Sequence, residues 1–207
     1  MSQTPFRDLL DTRGVHEVCE LRGRVGFMAY HGGALEEMTD VIAGIAAERS
    51  GASYYAVLQP DDLKWHIPSH KVSPAESPTL HEFVQHVHVV ITIHGFGREG
   101  LWTTLLLGGQ NRDLAGHIGV HLQGALPEYD VVDALDRIPR ELRGLHAENP
   151  VNRPRQAGVQ LELPPRVRGL GPFWTEFRTE HGDDAHPPHT EALIAALADA
   201  AASWPPS

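Results

Sequence analysis

Apolar positions along the chain follow two rhythms. Runs rich in aliphatic, β-branched and aromatic residues recur at 25–30, 54–58, 89–93, 102–107 and, interrupted by Gln160 and Glu162, at 159–163, each bounded by glycine, proline or polar residues. Runs of that length and make-up predict buried strands. Between them, apolar residues recur at helical spacing. Over 35–50 they stand at 35, 38, 41, 42, 45 and 46, a stripe that Gly51 ends, and over 113–126 at 114, 115, 118, 122 and 126. A short helix is predicted over 80–87. An alanine-rich one is predicted over 188–203, with Leu193, Ile194 and Leu197 as its core contacts. Residues 132–145 read as a helix broken at Pro139. Residues 59–79, with Pro60, Pro68, Pro74 and Pro78, read as a long loop, and 149–158 as a polar one. Alternating strands and helices predict an α/β fold: one domain over 1–207, with an open, mainly parallel, mixed sheet flanked by helices. No internal repeat or linker divides the chain.

Composition narrows the function classes. The 207 residues are 41% hydrophobic and 21% charged, enough chain and apolar surface for a core. A formal charge of −10, from 17 basic and 27 acidic side chains, argues against a nucleic-acid partner. It also repels a polyanionic substrate at long range, so local basic residues must do any capturing. The single cysteine, Cys19, excludes an internal disulfide framework. The N-terminal residues show no apolar run after a basic segment, and no stretch approaches about 18 apolar residues, so neither export nor a membrane partner is expected. The expected location is the cytoplasm, with release by lysis as the route outside.

Two of the strand-like runs end in a histidine followed by glycine, at His31-Gly32-Gly33 and at His94-Gly95. In open α/β sheets the carboxyl ends of strands are where ligands bind. Glu36 follows His31 by five residues, and glycines between them permit a tight turn. His31, Glu36 and His94 therefore form a set suited to one catalytic zinc, which takes imidazole and carboxylate ligands and keeps one position open. The plainer alternative is that His-Gly marks strand-to-loop corners. Glu162 stands in the apolar run 159–163, where a buried charge is costly without a partner. It is either a general base for an attacking water or, with Gln160, part of a solvated strand face. No Gly-x-Ser-x-Gly elbow is present, and Cys19 lies among Glu17, Glu20 and Arg22 with no sign of activation.

Several segments in order, His31-Gly-Gly-Ala-Leu-Glu36, Ile93-His94-Gly95, Leu107-Gly-Gly109 with Asn111, Asn149-Pro-Val-Asn152-Arg153 and Gly158-Val-Gln-Leu-Glu162, together resemble the poly-γ-glutamate hydrolase family, first associated with phages that digest bacterial capsule. The resemblance spans roughly residues 25 to 168. It implies a zinc-carboxypeptidase-like fold and one Zn2+ per chain held by His31, Glu36 and His94. It implies Glu162 as the general base and Arg153 as the cation for an oxyanion or a substrate carboxylate, with Asn152 and Arg112 as lesser candidates. A surface ion pair is the alternative for Arg153. The implied reaction is zinc-dependent cleavage of γ-glutamyl amide bonds, above all in poly-γ-glutamate. A small N-acyl amino acid or peptidoglycan peptide is the alternative substrate, and a binding module without turnover is the alternative outside enzymes. One loop departs from the family pattern of His-Ile-Thr-Ser followed by an acidic element. Here it reads Trp65-His66-Ile67-Pro68-Ser69, and Val72-Ser-Pro-Ala75 stands in the acidic position. That leaves His66 as a substrate contact or a plain loop histidine.

Overall fold

In a computed structural model, which describes residues 5–182 and 185–205, the strand-like runs form the middle of a seven-stranded mixed sheet. The elements begin with α1 (Pro5–Leu10), β1 (His16–Glu20), β2 (Val25–Gly33), α2 (Thr39–Ser50), β3 (Ser53–Gln59), α3 (Pro78–His86) and β4 (Val89–Gly95). They continue with β5 (Thr104–Leu107), α4 (Arg112–Ala125), β6 (Asp130–Val132), β7 (Gly158–Leu163), α5 (Pro172–His181) and α6 (Pro188–Ser203). Strand order is β1-β3-β2-β4-β7-β5-β6. The central strands β3, β2, β4 and β7 are parallel, β1 and β5 join antiparallel on either side, and β6 runs parallel to β5.

Helices cover both faces of the central strands, which is why β2, β3 and β4 read as nearly unbroken apolar runs. Phe27, Ala29, Ile91, Ile93, Val159 and Leu161 pack with Ile42 of α2, Leu114 and Ile118 of α4, and Leu193 and Leu197 of α6. On the opposite face Met28, Tyr30, Tyr55, Val57 and Val90 pack with Phe6 and Leu9 of α1 and Leu80 and Phe83 of α3. This second face changes character toward the carboxyl ends of β4 and β7. There the alternate positions become Thr92 and His94 on β4 and Gln160 and Glu162 on β7, all buried. A solvated face for Gln160 and Glu162 is thereby corrected: the loops over this end exclude water from both.

Two expectations differ from the structure, and three elements carried none. The helix read from residue 35 starts at Thr39, because Glu36 N–H turns back to the His31 carbonyl at 2.9 Å and Met38 takes a left-handed φ of 72°. Residues 132–145 do not form a broken helix. Val131 and Val132 pair with Leu105 and Leu106 as the edge strand β6, and only Arg140–Leu142 coils, as a short 3-10 turn after Pro139. The elements α1, β1 and α5 had no strong periodicity. β1 carries His16, Glu17 and Glu20 on a part-exposed edge, a make-up that blunts edge pairing and hides the strand signal. Among the described residues no helix is long and apolar enough to cross a membrane.

Candidate functional site

Regular strand alternation would send Tyr30 and His31 to opposite faces. A bulge prevents this: Ala29 pairs with Ala56 and Gly32 with Leu58, so Tyr30 and His31 together oppose Val57 alone. Their rings meet edge-on with centroids 4.8 Å apart, and His94 approaches both, at 4.9 Å from Tyr30 and 5.0 Å from His31. The glycines after His31 are required by space. A Cβ on Gly32 would lie 2.8 Å from Asp40 Cβ. One on Gly33, at φ 66°, would lie 2.3 Å from the Gln59 carbonyl oxygen. The tight turn they permit returns Glu36 to His31.

Glu36 is the hub of the site. One carboxylate oxygen lies 2.9 Å from His31 Nδ1 and the other 3.1 Å from His94 Nδ1, and Gly95 N–H donates to the latter oxygen at 2.9 Å. The far nitrogens are anchored: His31 Nε2 donates to the Ile67 carbonyl and His94 Nε2 to the Tyr30 hydroxyl, each at 2.9 Å. The Tyr30 hydroxyl in turn donates to Asn149 Oδ1 at 3.3 Å. With both Nε2 atoms engaged, the Nδ1 atoms, which donate to the Glu36 carboxylate, are the nitrogens that would serve as ligands on losing their protons, while the Nε2 partners hold each ring from behind. Burial pushes the Glu36 carboxyl upward, but His94 and His31 outweigh it and hold the group far below the usual carboxylate range. Burial lowers His94, and Glu36 outweighs it to raise that imidazole. Two imidazole nitrogens and a carboxylate converging in this way fit the donor chemistry of zinc.

His66 enters the same cluster from the loop after β3. Its ring lies 4.7 Å from that of His31, and ligand atoms of His31, Glu36 and His66 fall within 4.8 Å of one another. His66 is exposed, whereas His94 is buried and bonded to Glu36. The cluster therefore has two imidazoles fixed on one carboxylate and a third, exposed one from a loop beside them.

The parallel register sets Glu162 opposite His94. Gln160 Nε2 donates to Glu162 Oε1 at 2.8 Å, and Asn149 Nδ2 donates to Gln160 Oε1 at 2.8 Å. Burial raises the Glu162 carboxyl, with His94 opposing and Glu36 adding to the rise. A cleft of about 760 Å³ opens over His31, Glu36, His94 and Glu162 and is closed at its sides by His66, His70 and residues 140–146. Behind β4, the buried Arg168 guanidinium packs where a Gly95 Cβ would stand, 2.7 Å from its Cζ, and bonds the Glu37 and Leu163 carbonyls.

The remaining sequence candidates lie elsewhere. Arg153 pairs with Glu148 at 3.0 Å, both exposed, and does not line the cleft; the ion-pair alternative describes its position. Asn152 braces the loop, donating to the Gly144 and His146 carbonyls. Arg112 ties the Leu107, Gly109 and Asp133 carbonyls at the start of α4. The arginines that do line the cleft are Arg140 and Arg143, which carried no periodic or motif signal. Asn149 and Gln160 sat inside quoted motifs, yet only the fold places them between Tyr30 and Glu162.

Comparison with known proteins gives a consistent pattern. A family model described as poly-gamma-glutamate hydrolase matches residues 13–191. No curated protein matches the chain. A bacteriophage poly-gamma-glutamate hydrolase structure superposes with a TM-score of 0.74 at 19% identity, covering 93% of this chain and 91% of that one. The zinc-free apo form of YNDL superposes with a TM-score of 0.67 at 20% identity, covering 90% and 91%. At these identities the likeness shows a shared fold.

Proposed function

The chain belongs to the poly-gamma-glutamate hydrolase family, and on that premise we propose that it is a zinc-dependent amidohydrolase cleaving γ-glutamyl amide bonds, foremost in poly-γ-glutamate. The observation that carries this reading is the Glu36 carboxylate shared between His31 Nδ1 and His94 Nδ1, with buried Glu162 across the sheet register from His94. His31, Glu36 and His94 would hold the metal, with His66 close enough to join or shield them. Zinc held there supplies Lewis acidity, which polarises a scissile carbonyl and acidifies water. Glu162 takes the proton of the attacking water and returns it to the leaving amine. Gln160 fixes the side of the carboxylate that it bonds, leaving the other oxygen for that transfer. Tyr30 and the Ile67 carbonyl keep the two imidazoles turned toward Glu36.

The test is to purify the protein, measure bound zinc, and incubate it with poly-γ-glutamate with and without a chelator. Stoichiometric zinc and chelator-sensitive shortening of the polymer are expected. Zinc without shortening would move the substrate to smaller γ-glutamyl or N-acyl amides. No zinc binding even after reconstitution would overturn the metal centre itself.

A further inference from the structure

Segment 140–148 walls one side of the cleft and is formally neutral, with Arg140 and Arg143 against Glu141 and Glu148. The fold divides these charges unequally. Glu141 accepts from Arg98 Nη2 at 2.6 Å, and Glu148 is held by Arg153 at 3.0 Å, so arginines from outside the segment engage both acids. Among the described residues no carboxylate forms an ion pair with Arg140 or Arg143. Arg143 spends only Nε, on the Ile138 carbonyl at 2.8 Å, and its terminal nitrogens are left over; the Arg140 side chain is exposed. Both residues line the cleft. His146 adds a donor of fixed sense. Its Nδ1 accepts from Glu148 N–H at 3.1 Å, so the neutral ring carries its proton on Nε2. His70, from the facing loop, lies against it with centroids 4.8 Å apart.

We propose that Arg140 and Arg143, with His146 beside them, form a carboxylate-binding subsite that takes a free α-carboxylate next to the scissile γ-glutamyl bond and selects polyanionic chains over neutral amides. The inference rests on the amidohydrolase reading of the same cleft. A γ-linked chain leaves one α-carboxylate per residue, and a guanidinium fork accepts a carboxylate bidentately. A molecule of net charge −10 repels such a chain at long range. Screening confines that repulsion to about 8 Å at physiological salt, so unpaired cations inside the cleft decide capture.

The experiment uses full-length zinc-loaded protein carrying Glu162→Gln, to prevent turnover, and a fluorescein-labelled oligo-γ-glutamate followed by anisotropy. Arg140→Gln and Arg143→Gln should each weaken binding about tenfold, the scale of a lost charge-assisted hydrogen bond. Arg140→Glu should weaken it further, and rising salt should shrink all three effects. Binding of the α-methyl ester of the same oligomer should not change. Arg143→Gln also removes the bond to Ile138, so Arg140→Gln, which breaks no bond in the fold, is the deciding variant, checked by an unchanged melting temperature. Parent-like affinity in that variant, equal loss for acid and ester, or no binding by the parent would each overturn the subsite. Hydrolysis by the wild type is assayed alongside. Polymer cleaved with arginine variants indifferent would sink the subsite alone, whereas arginine-dependent binding without cleavage would sink the γ-glutamyl hydrolase reading alone.

Discussion

Glu36 has both carboxylate oxygens committed, to two imidazoles and a backbone N–H, whereas Glu162 has one oxygen held by Gln160. The first arrangement suits a ligand and the second a base that must move a proton. Glu162→Gln is therefore expected to keep stoichiometric zinc while turnover falls by about 10²–10⁴; metal analysis beside a depolymerisation assay would show it, and a mostly active Gln variant would remove the base role. Gly33→Ala should be far more damaging than its size suggests. It forces an L side chain to φ 66° and a Cβ to within 2.3 Å of the Gln59 carbonyl, so a loss above about 1 kcal/mol in urea unfolding, with reduced zinc affinity, is expected. Cys19 is held up to about 11 by burial and by Glu82, Glu17 and Glu20. Its thiolate fraction at pH 8 is then roughly a thousandth, and alkylation in the native state should be slow until the protein is unfolded. At this scale His31, Glu36 and His94 were legible because strand-ending histidines beside glycine are a local pattern. Arg140 and Arg143 were not, because an unpaired arginine and a paired one read alike in a sequence.

At the scale of elements, capping and register do the positioning. Asn111 caps α4 by accepting from Leu114 N–H at 2.9 Å, and its amide donates to the Gln156 carbonyl at 3.0 Å. That explains a motif asparagine without assigning it chemistry. Asn111→Ala should lower stability by about 1–2 kcal/mol, read from the shift of the denaturation midpoint, with zinc content unchanged; loss of zinc with normal stability would point instead to a role in the site. The strands β2 and β4 were legible because covering both faces makes them almost continuously apolar, and β7 because Val159, Leu161 and Leu163 recur at strand spacing. The turn at 34–38 and the edge strand β6 were not, because Leu35 and Met38 mimic a helical stripe and Val131 and Val132 are too short a run to show a period. The bulge at Tyr30 and His31 is a property of pairing with β3, which no local pattern contains.

Taken as a whole, the molecule carries a formal charge of −10, and its cleft sets Arg140 and Arg143, neither in an ion pair, beside Glu36, Glu141 and Glu162. Metal binding to the folded state alone should stabilise it by RT ln(1 + [L]/Kd), about 4 kcal/mol at a thousandfold excess over Kd. A zinc-dependent rise in melting temperature, reversed by chelator and absent in His94→Ala, is the expected result; a melting temperature indifferent to zinc would argue against a metal centre at Glu36.

What the sequence determined by itself was the layered α/β plan, the strand ends bearing His31 and His94, and membership of a hydrolase family, because buried strands and glycine turns are written in short stretches of neighbouring residues. What only the tertiary structure decided was which charges remain free. The pairing of Arg153 with Glu148 and Arg98 with Glu141, the relay from Tyr30 through Asn149 and Gln160 to Glu162, and the bulge that turns His31 toward Glu36 all join residues remote in the chain. Charge pairing and dehydration depend on distances through space, and no local pattern encodes them.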